Sequence, residues 1–197
     1  IDSGAGHISA YSLTYEKGTS LYKSTEKDPR LIKDPVRDSE FYFKVSERLC
    51  AEGFEHYEIS NFARPGYKSR HNMKYWTYEN YLGLGPSSHS FFFKKRWNNV
   101  RSYSGYVNSL TEKILPAENL YEPDTDQVKL EYIMLGLRSE GINFETYRKL
   151  TGEDFETIYK APAEELCSAG LAFKCDGKLK LTEKGYSIAD EITARYF

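Results

Sequence analysis

Apolar positions recur with two different periods along the chain, and the change between them falls near residues 116–123. In the first part His7-Ile8-Ser9-Ala10-Tyr11-Ser12-Leu13 reads as a strand that leaves through the turn Glu16-Lys17-Gly18-Thr19. A polar connection carrying Asp28-Pro29 and Asp34-Pro35 follows. Phe41, Val45 and Leu49 then lie on one helical face, which predicts a helix over about 40–52, capped by Asp38 or Ser39 and stopped by Gly53. Phe54-Glu55-His56-Tyr57-Glu58-Ile59-Ser60 reads as the next strand. Strand, helix and strand in that order predict a βαβ unit with parallel neighbouring strands. Residues 61–80 read as irregular, broken by Pro65-Gly66. A strand then runs from Tyr81 through Leu82-Gly83-Leu84-Gly85-Pro86 into a tight turn, 91–99 forms a further strand or hairpin, and 102–113 a short helix.

Beyond the connection at 116–123 the pattern becomes helical. Asp124 or Thr125 caps a helix rich in Val128, Leu130, Ile133, Leu135 and Leu137. Two more helices follow at 144–150 and 155–169, with Pro162 interrupting the second or marking its start. Residues 171–182 alternate around Asp176-Gly177, a hairpin signature. A last helix ends near Phe197. The predicted organisation is thus residues 1–115 and residues 116–197, the latter winged-helix-like.

Charge separates the two parts. Residues 124–197 hold 10 Lys and Arg against 14 Asp and Glu, and the helix in the recognition position carries Glu153, Asp154, Glu156, Glu164 and Glu165. DNA binding rests on cationic contacts to phosphate, so this part is expected to pack or cover rather than to read DNA. Residues 64–101 have the opposite bias, with eight cations (Arg64, Lys68, Arg70, Lys74, Lys94, Lys95, Arg96, Arg101) and one acid, Glu79. The same stretch holds nine rings, including Tyr75, Trp76, Tyr81, Phe91 and Trp97. Cations among rings suit a planar anion: rings meet its faces, cations pair with its carboxylates, and a His can ligate a metal at its centre. Tetrapyrroles with propionates fit, and so do single-stranded nucleic acids. The pattern is equally that of rings in a core with lysines on a solvated face.

Other features bound the answer. Net charge is −2, and 17 Tyr, 11 Phe and 2 Trp make 15% of the chain aromatic. No apolar run approaches the ~20 residues a membrane span needs. Cys50, Cys167 and Cys175 have no metal-ligand spacing, which suggests a reducing, cytoplasmic setting without disulfides. The opening Ile1-Asp2-Ser3-Gly4-Ala5-Gly6 lacks an initiator Met and leads straight into a strand, as expected of a piece of a longer protein.

Several blocks carry a resemblance. His7-Ile8-Ser9-Ala10-Tyr11-Ser12-Leu13, Tyr57-Glu58-Ile59-Ser60-Asn61-Phe62-Ala63, His71-Asn72 with Tyr75-Trp76, Leu82-Gly83-Leu84-Gly85-Pro86 and Leu135-Gly136-Leu137-Arg138 occur in that order. Together they resemble the HemN/HemW family of oxygen-independent coproporphyrinogen III oxidase-like radical-SAM proteins, closer to its HemW heme-chaperone branch. The resemblance implies an α/β fold, the C-terminal part of a partial (β/α) TIM-type barrel followed by the winged-helix-like part. It implies heme or porphyrin as ligand at His71, Asn72, Tyr75, Trp76 and Arg70, with His71 the iron ligand. It places S-adenosylmethionine contacts near Gly6 and His89, and a [4Fe–4S] cluster in the full-length protein. The family's Cys-x3-Cys-x2-Cys is not in this chain, so radical chemistry is not expected of the chain alone. Recipient apoproteins would be partners, and the exposed barrel edge favours self-association. A true coproporphyrinogen III dehydrogenase and a basic-aromatic nucleic-acid-binding module are the alternatives. Glu58 would face into the barrel toward substrate or cofactor, or pair with Arg64 or Arg70.

Overall fold

The computed structural model describes residues 4–197; Ile1, Asp2 and Ser3, part of the opening segment discussed above, lie outside them. Strands β1 (His7–Ser9), β2 (Glu55–Glu58) and β3 (Asn61–Ala63) form one sheet in the order β1-β3-β2, with both pairings antiparallel. The expected βαβ unit is therefore corrected. β1 and β2 run the same way but are not neighbours, because the chain reverses at Ile59-Ser60 and β3 enters between them. All three β3 residues are buried, so the strand shows none of the alternation that would mark it in the sequence.

The intervening connection is also more ordered than its polarity suggests. Helix α1 (Ser20–Lys27) is capped by Thr19, whose side chain accepts from the Tyr22 N–H at 3.2 Å. Helix α2 (Pro35–Ala51) starts five residues before the expected point. Asp34 is its true cap, accepting from the Val36 N–H at 2.9 Å, and Pro35 takes a first-turn position where a missing N–H costs nothing. Its apolar stripe is only half used: Leu49 is buried with Phe54 and Phe62, whereas Phe41 stays 55% exposed.

Helix α3 (Arg70–Trp76) replaces the irregular stretch expected at 61–80. The strand expected from Tyr81 is absent; Tyr81 makes a single bridge to Phe91, and residues 82–88 form a loop. That loop approaches its neighbour closely, since a Cβ on Gly83 would lie 2.3 Å from the His89 carbonyl oxygen. Strands β4 (His89–Phe92) and β5 (Lys95–Asn99) make a hairpin, and helix α4 (Tyr103–Thr111) follows. Residues 117–121, expected within a connection, form β6 (Ala117–Tyr121) on the far side of β5.

Helix α5 (Thr125–Leu137) opens with a capping box between Asp124 and Gln127. After it come β7 (Ile142–Asn143), α6 (Phe144–Thr151), α7 (Phe155–Ile158), α8 (Lys160–Ser168), β8 (Ala172–Cys175), β9 (Lys178–Leu181), α9 (Glu183–Tyr186) and α10 (Ala189–Tyr196). The expected helix at 155–169 breaks at Tyr159, just before the turn that holds Pro162, and the last helix breaks at Ser187-Ile188. The hairpin is as expected, with Asp176 and Gly177 both at positive φ, and β7 adds to it to give the order β7-β9-β8.

The main core lies in this second part, around Ile133, Leu137, Tyr147, Phe155, Leu166 and Ile192. Each such aliphatic side chain, fully buried, contributes ~1.5–3 kcal/mol. The two parts are joined around α5. The Ile59 N–H donates to the Arg138 carbonyl at 2.8 Å, Lys68 pairs with Glu140 at 2.6 Å, and Arg96 pairs with Glu131 at 2.7 Å.

Candidate functional site

Helix α3 carries the five residues that the sequence singled out as ligand-binding. Ser69 caps it, its hydroxyl accepting from the Asn72 N–H at 3.2 Å. It ends at Thr77, whose hydroxyl donates to the Met73 carbonyl, and Tyr78 then turns out at positive φ. Side chains four apart share a helix face, and His71 and Tyr75 do so. The Tyr75 hydroxyl is bonded to His71 Nε2 at 2.8 Å, with the rings edge to face at 5.0 Å. His71 is exposed, and with Nε2 engaged its Nδ1 is the nitrogen left for a ligand. Arg70 is exposed as well.

Beside this pair lies a cleft of about 430 Å³, lined by Asn72, Lys74, Tyr75 and Trp76 of the helix together with Tyr78, Glu79, Tyr81, Phe91 and Arg96; His71 is not in its lining. Tyr75 meets the Tyr81 ring edge-on at 4.4 Å, and Tyr78 meets Phe91 at 4.9 Å. The Arg96 guanidinium lies over Phe91 at 4.7 Å and is anchored to Glu131 of α5. Tyr78 donates to the same carboxylate at 2.8 Å, and burial pushes its phenol up to about 12. Arg96 is thus a structural cation rather than a free one. Among the described residues two donors in the lining, Trp76 Nε1 and Arg96 Nε, are buried without a hydrogen-bond partner. An acceptor brought by a ligand would satisfy them.

The other expected residues lie elsewhere. Gly6 precedes β1, and a Cβ there would fall 2.3 Å from the Tyr67 ring, so its smallness serves that packing. His89 is exposed at the start of β4, in a different sheet from the β1 that Gly6 precedes. Glu58 is 1% exposed and pairs with neither Arg64 nor Arg70. Its carboxylate accepts instead from the Ser60 N–H at 3.2 Å, and burial holds its pKa above the usual value despite bonds from Ser60 and Asn61. Arg64 stacks on Phe54 at 4.6 Å and donates to the Glu52 carbonyl. Near α3, His7 bonds the Tyr57 hydroxyl at 2.8 Å, and that hydroxyl also accepts from the Ser69 N–H, tying the first sheet to the cap of α3. Glu131 and Leu135 reach the site from α5; nothing in the sequence distinguishes Glu131 from the many acids around it.

Cys50, Cys167 and Cys175 are free thiols on α2, α8 and β8. Among the described residues no three His, Cys, Asp or Glu side chains group as a metal site, so these residues do not fit an iron–sulfur cluster.

Residues 125–188 match the family described as HemN C-terminal domain. Over 189 residues the chain is 30% identical to "Heme chaperone HemW" of Bacillus subtilis, covering 95% of this chain and 50% of that protein. It is 37% identical over 147 residues to "Heme chaperone HemW" of Synechocystis, covering 69% of this chain and 34% of that one. Among solved structures, coproporphyrinogen III oxidase (HemN) from Escherichia coli, described as a radical SAM enzyme, superposes with a TM-score of 0.66 over 98% of this chain and 48% of its own, at 14% identity. The chain belongs to the HemN/HemW family and corresponds to a C-terminal portion of it. It spans about half the length of the curated relatives it matches.

Proposed function

We propose that this chain is the heme- or porphyrin-binding portion of a HemW-like heme chaperone, with His71 as the iron ligand. The observation that carries the proposal is the bonded pair of the exposed His71 and Tyr75, the latter also lining the aromatic cleft. An iron-ligating His is ordinarily oriented through its other ring nitrogen, and the Tyr75 hydroxyl stands where that partner is needed. Tyr75, Trp76 and Tyr81 supply ring faces, Asn72 supplies an amide, Arg70 is a cation free to meet a propionate, and the two unbonded N–H groups supply further donors. When bound, heme would bring the iron centre; this chain would hold and orient it. The names of the relatives favour a chaperone over an oxidase. Within the same proposal, the first sheet with α1 and α2 is the end of a partial barrel, and 116–197 is a winged-helix-like part that packs against it. Gly6 and His89 would border the S-adenosylmethionine site only in the full-length protein.

Titration with hemin, followed in the Soret band, tests the site. The chain should bind one equivalent, and His71→Ala should weaken binding at least tenfold and change the band position. An unaltered titration would remove His71 from the role.

A further inference from the structure

The β4–β5 hairpin ends in a two-residue turn, Phe93-Lys94, between the paired Phe92 and Lys95. Both turn residues have positive φ, 46° and 65°. The β8–β9 hairpin makes the same kind of turn with Asp176 and Gly177, the residue types that this backbone prefers. Turn geometry therefore does not account for an aromatic and a lysine at the first tip. Phe93 is 74% exposed and Phe92 37%, and their rings meet edge to face at 4.5 Å. Lys94 and Lys95 are exposed, and neither makes an ion pair among the described residues. The tip is held in place, since the Asn80 side chain accepts from the Phe93 N–H at 3.0 Å. Residues 80–111 contain four cations and no acid. Of the nearby acids, Glu79 accepts from the Thr77 hydroxyl, Glu131 is taken by Arg96 and Tyr78, and Glu122, next after the Tyr121 that pairs with Arg96, makes no ion pair with Lys94 or Lys95 among the described residues.

We infer that this tip docks on an anionic lipid surface, with Phe92 and Phe93 entering the headgroup region and Lys94 and Lys95 meeting lipid phosphates. Two exposed rings flanked by unpaired ammonium groups match the apolar and cationic layers of such a surface in order. A protein partner would need a preformed apolar pocket ringed by acids, which the tip does not specify. Phe91, next along β4, lines the cleft, so docking would bring the cleft's mouth to the bilayer. The inference does not depend on heme binding.

Sedimentation of the whole chain with vesicles tests it, using phosphatidylcholine alone and phosphatidylcholine with 30% phosphatidylglycerol. Binding is expected only to the anionic vesicles, falling as salt rises. Phe93→Ser and the double change Lys94→Glu with Lys95→Glu should each reduce it at least fivefold, with circular dichroism and melting unchanged. Absence of binding to anionic vesicles overturns the inference. So does loss with the lysine changes alone, which would mean adsorption by charge without insertion. Tip changes that impair binding of a protein while leaving vesicle binding intact would reassign the tip to a protein partner.

Discussion

At the residue scale, three positions place side chains where local preference would not. His71 and Tyr75 bond each other in the open, where an exposed pair on a short helix contributes little to stability. Their arrangement makes sense as an oriented imidazole. Lys94 sits at φ 65° in a turn that glycine would occupy without strain. Lys94→Gly is expected to raise stability by ~0.5–1 kcal/mol, the left-handed penalty less the extra chain entropy of glycine. Urea denaturation measures it; a loss of stability would show that the tip is relaxed as it stands. The sequence pointed to His71, Asn72, Tyr75 and Trp76 through their wording alone, and the structure gathers all four on α3.

At the element scale, α3 is seven residues long, too short to persist by propensity, so its ends matter. Ser69 provides one cap bond, and its own N–H is held by Tyr57. Ser69→Ala should cost ~1 kcal/mol, the usual worth of such a cap, and weaken hemin binding severalfold, while Ser69→Asp restores both. If Ser69→Ala lost stability but bound hemin as tightly as before, α3 would not be the element that orients the ligand. Helix α3 is not legible in the sequence because Pro65-Gly66 precedes it and its seven residues show too few turns for a period to stand out. Helix α1 and β6 hide for another reason: α1 is mostly polar and four of the five β6 residues are exposed, so neither shows a buried period. Longer or better punctuated elements, such as α5 and the Asp176-Gly177 hairpin, were legible.

At the scale of the whole molecule, a layer of buried polar groups lies where the first sheet meets the second part. Ile59 donates its N–H to Arg138, Tyr186 donates to the Ser139 carbonyl at 2.5 Å, and Glu58 and His56 of β2 lie close by. Burial raises the Glu58 pKa and lowers that of His56. The signs oppose. Unfolded Glu58 ionises around its ordinary value, whereas the folded protein retains the proton to higher pH, so its contribution is full below that value and is lost as pH rises through the folded pKa. His56 contributes fully above its ordinary value and loses that contribution on acidification. Glu58→Gln should therefore gain stability relative to the unchanged protein as pH rises from 4 to 7 in urea denaturation. A constant difference across that range would mean that Glu58 is not desolvated as the structure has it. No described helix is long and apolar enough to cross a membrane.

By itself the sequence determined the family, the change in pattern beyond residue 116, the candidate residues that fall on α3, and the acidic composition of the second part. These are properties of residue identity and spacing, which a chain carries whether folded or not. Tertiary structure decided what those residues can reach. It inserted β3 between β1 and β2, because a strand whose residues are all buried has no period to read. It took Arg96 out of the pool of free cations by bringing Glu131 across from α5, a contact between residues 35 positions apart. Among the described residues it also left Trp76 Nε1 and Arg96 Nε without partners beside the cleft. Which charges are spent and which remain for a ligand depends on contacts between distant parts of the chain, and no local pattern records those.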